Sequence, residues 1–143
     1  MGHVDAGARN ALAVCCAASA GVHAALVPEH LSASTILGTG FALSAVCLFA
    51  STLAFAGTRA PRSTAAPATA LLLVALISAY AVSRTAGLPL IGAEVEEVDA
   101  VGLTTQALQA AGLAAALILT KPAFAVPALA QGKETRTCDS PDS

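Results

Sequence analysis

His23, Glu29 and His30 are the residues of this chain whose types and spacing best suit metal chemistry. Imidazole nitrogen and carboxylate oxygen are donors that Zn²⁺ and Cu²⁺ accept. A seven-residue interval sets two side chains on one face of a helix. Glu94, Glu96 and Glu97 lie in a second polar segment that could fold over the pair and complete a ligand set. The plainer expectation is that His23 bonds the backbone of a neighbouring helix while Glu29 and His30 are solvated in a loop. The spacing alone does not separate the two.

Arg84 stands out by position. It is a lone base opposite an acidic segment, placed for a structural ion pair with Glu29, Glu94 or Glu97, or for service as an interfacial anchor. Cys15, Cys16, Cys47 and Cys138 contain no C-x-x-C spacing, which argues against a thiol oxidoreductase. Cys15 and Cys47 would permit a soft Cu⁺ site if their segments touch, but small buried Cys more often serves packing. No G-x-S-x-G, H-E-x-x-H or phosphate-cradling glycine loop occurs, so no catalytic residue is assigned and the chain is expected not to be an enzyme. No cofactor is assigned beyond the Cu or Zn alternative. A net charge of −2 gives no basic surface for nucleic acid.

The elements that must position these residues are apolar on every side. Residues 11–27, 35–56, 68–82 and 100–120 contain no Asp, Glu, Lys or Arg. Soluble domains carry about 25% charged residues; this chain carries 11%, with a mean hydropathy of +0.74. A helix without a polar face needs hydrocarbon as its solvent. Crossing a core of about 30 Å takes roughly 20 helical residues. Four spans are therefore predicted, at about 11–27, 35–56, 67–84 and 100–120. The third is extended from Pro67, as a first-turn residue, to Arg84, whose long side chain can snorkel. The first is the least apolar and is expected to be held by its neighbours. Arg9 before an apolar run resembles a signal peptide, and residues 12–15 faintly resemble a lipoprotein box, but one Arg offset by Asp5 and the large Val14 fit neither.

Arg9, Arg59, Arg62, Lys121, Lys133 and Arg136 all fall on one side of a four-pass chain, and only Arg84 falls on the other. Excess Lys and Arg in short loops marks the cytoplasmic face, so both termini are expected inside. The outer face then receives Glu29, His30, Arg84, Glu94, Glu96, Glu97 and Asp99, the last as a cap for the fourth helix. Residues 1–10 read as a short polar lead. Pro28 predicts a kink or stop of the first helix, followed by a tight turn over residues 28–34, with Ser32, Ser34 or Thr35 capping the second. Residues 57–66 read as the inner loop, and 131–143 as a disordered cytoplasmic tail after a single membrane domain of residues 1–130. Small residues recur at 17, 21 and 25, at 75, 79 and 83, and at 107, 111 and 115, the spacing that lets helices approach closely in lipid.

The segment from His23 through Pro28, Glu29 and His30 to Leu31, taken with Ser83-Arg84-Thr85-Ala86-Gly87-Leu88-Pro89, resembles small uncharacterised four-helix integral membrane proteins of high-GC bacteria. The resemblance spans all four helices and implies the same topology. It also implies an acidic residue inside the fourth helix. Thr105, Gln106 and Gln109 stand there instead, which argues against a proton-linked role.

The sequence thus predicts an all-α bundle of four transmembrane helices in the bacterial cytoplasmic membrane. Its expected role is a non-enzymatic accessory or interaction component, in contact with the lipid bilayer and with a membrane protein partner or further copies of itself. Metal handling at the extracytoplasmic face and a partner-dependent transporter subunit are the alternatives.

Overall fold

A computed structural model of the chain describes residues 2–57, 62–87, 95 and 97–120. Among them every regular element is a helix: α1 (Gly2–Ala33), α2 (Thr35–Ala56), α3 (Arg62–Thr85) and α4 (Ala100–Thr120). All four are long and apolar enough to cross a membrane. Glu94, Glu96 and the segment 121–143 lie outside the described residues.

The second and fourth helices occupy the bounds expected from charge patterning. The first and third run further. Residues 2–10 form no polar lead: α1 starts at Gly2, and Ala8 is already buried in the bundle. Nor does Pro28 stop α1, which continues to Ala33, with Ser34 Nα–H bonding the His30 carbonyl at 2.8 Å. A proline inside a helix costs about 3 kcal/mol. The loss is the one backbone bond that Pro28 cannot donate; the turn beyond it still closes through Ser34 and His30. At 32 residues, α1 is about 48 Å long, well beyond a hydrocarbon core of about 30 Å. Pro67 is likewise an interior residue, because α3 begins at Arg62 and not after an inner loop ending at 66. Ser34 occupies the N-cap position of α2, although its side chain makes no capping bond.

The helices form a ring in chain order. α1 packs against α2 and α4, α3 packs against α4, and α2 touches α3 only lightly. Cys15 and Leu12 of α1 lie against Gly112 of α4, with Leu73 of α3 beside them. The apolar core fills the half of the bundle nearer the start of α1 and the end of α4. There Leu12, Cys16, Leu48, Ala66, Leu73 and Ala116 are fully enclosed, and Phe55 and Ala115 nearly so. In that half the Thr69 hydroxyl of α3 also donates to Ser51 Oγ of α2, at 3.2 Å.

The small-residue stripes do not build this interior. Ala17, Gly21, Ala25, Ala75, Ala79, Ala107 and Ala111 are exposed, and of the nine positions only Ala115 is buried. The buried register of α1 is Leu12, Cys16, Ser19, Ala20 and His23; that of α4 is Thr105, Gln109, Gly112, Ala115 and Ala116. Small residues stand on both faces of these Ala-rich helices, so size could not reveal which face is inward.

Candidate functional site

Beyond the core, toward the end of α1 and the start of α4, the bundle opens into a cavity of about 610 Å³ lined by all four helices. The light contact between α2 and α3 accounts for the space. Three of the sequence-selected residues, His23, Glu29 and His30, line it from α1, and Arg84 lines it from α3.

Both imidazoles are tied to their own helix. His23 Nδ1 lies 2.8 Å from the Ser19 carbonyl, and His30 Nδ1 lies 2.9 Å from the Leu26 carbonyl. A carbonyl can only accept, so Nδ1 carries the proton, and a neutral ring leaves Nε2 as an acceptor. His23 is therefore not bonded to a neighbouring helix, and His30 is a helical residue, not a solvated loop residue. Phe41 of α2 joins the two: its ring centroid is 3.9 Å from that of His30, in a stacked geometry, and 5.4 Å from that of His23. Glu29 is exposed near the end of α1, where its carbonyl accepts the Ser32 hydroxyl at 2.6 Å.

Across the cavity, Arg84 closes the structure. Its guanidinium lies 4.8 Å from the centre of the Tyr80 ring, one helical turn back, and forms a 3.0 Å ion pair with Asp99. It also donates to the Glu97 main-chain carbonyl. Glu97 thus contributes backbone, and the paired carboxylate is Asp99. Asp99 keeps its expected capping role at the same time: its Oδ1 accepts the Gly102 N–H at 2.7 Å, the third helical position of α4. That bond, aided by the neighbouring Arg84, holds the Asp99 carboxyl below its usual range.

Tyr80 lies directly over Gly102. A Cβ built on that glycine would meet the Tyr80 ring at 2.7 Å, so only a residue without a side chain allows α3 and α4 to approach here. The Tyr80 hydroxyl is buried in this contact without a hydrogen-bond partner among the described residues. Gln106 and Gln109 form a further polar pair on α4, Nε2 of the first donating to Oε1 of the second at 3.2 Å.

Among the described residues, no three His, Cys, Asp or Glu side chains come close enough together to hold a metal ion. The donors line the wall of a space instead. Phe41, Tyr80 and Asp99 are the members of this site that chemical type alone did not select. Tyr80 and Arg84 do share the i, i+4 spacing of one helix face, as His23 and His30 share the i, i+7 spacing.

Among the described residues, the fold and site together define a four-helix, all-α chain with membrane-spanning capacity and, at one end, a mostly apolar cavity edged by a few polar groups. No family profile, curated protein or solved structure matches the chain.

Proposed function

We propose that this is a multi-pass protein of the bacterial cytoplasmic membrane, with both termini inside, that acts as a non-enzymatic accessory component: it holds a small guest or a partner's side chain in its extracytoplasmic cavity. The observation that carries this reading is the placement of the cavity. It is lined from all four helices, at the end of the bundle where Arg84 and Asp99 fasten α3 to the start of α4. Pockets of about 300–1,000 Å³ with mostly apolar walls and a few polar groups are the usual form of small-molecule sites. The clustering of basic residues in the other polar segments supports the orientation.

A photo-crosslinking residue placed at Ser44, on the cavity wall, tests the reading in native membranes. The expected result is a discrete adduct with a small molecule or one membrane protein, absent when the same residue stands at Val46, which is 65% exposed. Equal, diffuse labelling of bulk lipid from both positions would overturn it.

Metal handling is the second reading, favoured by one observation. Both His rings bond a main-chain carbonyl through Nδ1, the arrangement that orients a metal-ligating imidazole. Glu29, with Glu94, Glu96 or Glu97, would supply oxygen. Zn and Cu contents of purified protein that are equal and near zero in wild type and His30→Ala would exclude it.

A further inference from the structure

We infer that the guest of this cavity is an organic ammonium ion with an apolar body, its charged nitrogen at Glu29 and its body between α2 and α3. The inference rests on the cavity being a binding site, as proposed above, and adds the chemical class of what it takes.

The first argument is the sense of the polar groups. Nε2 of His23 and Nε2 of His30 have no partner among the described residues, and with Nδ1 protonated, a neutral ring presents there a lone pair. Glu29, a third cavity residue, is a carboxylate with no basic partner among the described residues. Along α1 the wall therefore offers acceptors. A guest that matches it must donate hydrogen bonds, and a protonated amine donates up to three.

The second argument is charge. The positive group at the rim, Arg84, is engaged by Asp99 and by the Glu97 carbonyl. Glu29 and the exposed Glu97 leave the surroundings acidic. An anionic headgroup would be repelled here, and a cation attracted.

The third argument is size. A bare metal ion needs its donors to converge on a point, whereas these residues border about 610 Å³. The space fits a molecule of several heavy atoms. Leu37, Phe41 and Leu76 supply apolar surface for its body. α1 outreaches the hydrocarbon core, so Glu29, in its last turns, can stand at the water boundary while the deeper wall stays in the apolar layer. An amphiphilic cation lies in a membrane with that same polarity.

The experiment uses the full chain reconstituted in phosphatidylcholine vesicles. The probes are 2-phenylethylammonium and its uncharged counterpart 2-phenylethanol. Tyr80 is the only tyrosine and there is no tryptophan, so intrinsic emission reports from the cavity wall, with calorimetry as the second readout. The ammonium ion is expected to bind at least about tenfold more tightly than the alcohol, a difference of about 1.4 kcal/mol. Glu29→Gln is expected to remove that preference and leave the alcohol unchanged.

Gly40→Leu fills the cavity from α2, where an added Cβ meets nothing within 4 Å, and is expected to abolish both signals. Gly21→Leu, equally unobstructed but outside the cavity, is expected to change neither. If Gly40→Leu abolishes binding but Glu29→Gln leaves the ammonium preference intact, the ammonium assignment falls and the cavity reading stands. If Gly40→Leu binds like wild type, or wild type binds neither probe, both fall.

Discussion

Arg84 and Asp99 lie 15 residues apart and meet at 3.0 Å, so one ion pair fixes where α3 ends relative to where α4 begins. The same carboxylate caps α4 through the Gly102 N–H, and the same guanidinium stacks on Tyr80. Gly87, in the left-handed region at φ 67°, turns the chain out of α3 immediately after this contact. Three short-range interactions and one backbone turn thus converge on one corner of the cavity.

Replacing Asp99 separates its two roles. Asp99→Asn keeps an acceptor for the Gly102 N–H and loses the charge, while Asp99→Ala loses both. Thermal unfolding in detergent should rank wild type above Asn and Asn above Ala. Identical transitions for all three would mean that the corner is held by other contacts.

A pH dependence follows from the lowered pKa of Asp99, caused first by the Gly102 N–H and supplemented by Arg84. A carboxyl whose folded value lies below its ordinary value of 3.8 contributes stability that is complete above that value. The contribution is lost as the pH falls through the lowered value of the folded state. The stability difference between wild type and Asp99→Asn should therefore be constant at neutral and mildly acidic pH, and should shrink on descending below about pH 4. A difference that grows with acidification would contradict the assigned sign.

Gly102→Ala drives a methyl group into the Tyr80 ring. Overpacking of this kind costs about 1–3 kcal/mol. The penalty should largely vanish in a Tyr80→Ala background, because the obstructing ring is then gone. A double-mutant cycle measured by unfolding in mixed micelles reads the coupling directly, and additive effects would place the ring elsewhere.

Leu73 and Leu71 sit two residues apart on α3, fully buried and 72% exposed respectively. In a membrane both are surrounded by apolar groups, so the difference between them is protein packing and not transfer from water. Leu73→Ala should cost about 2 kcal/mol, at the low end of large-to-small substitutions. Leu71→Ala should be close to neutral. Equal costs would mean that α3 is rotated from the orientation described.

Cys138 reports on orientation once Cys15, Cys16 and Cys47 are replaced by Ala. In intact cells, a membrane-impermeant maleimide should fail to label it until the membrane is opened. Labelling of intact cells would reverse the proposed topology, and with it the side on which the cavity opens.

Much of the architecture was legible in the chain because burial in hydrocarbon is a matter of composition. The charge-free run between Asp99 and Lys121 set the bounds of α4 to the residue, and the apolar stretch 35–56 those of α2. The extents of α1 and α3 were not legible. Polar residues at 2–10 and prolines at 28 and 67 are loop signals, and tertiary packing, as at buried Ala8 and Ala66, overrides them when the helices continue through. Asp99 was recognisable as a cap from its position before an apolar run, but its pairing with Arg84 depends on how the end of α3 meets the start of α4, which no local pattern encodes.

The sequence by itself determined that four helices form, and which polar residues collect at one end of them, because insertion free energy sums over residues. Only the tertiary structure decided which helix faces turn inward, where α2 and α3 part, and that His23, Glu29, His30 and Arg84 border one space. Those outcomes depend on side-chain shape between helices; on chains this rich in Ala, every face looks alike until the neighbours are in place.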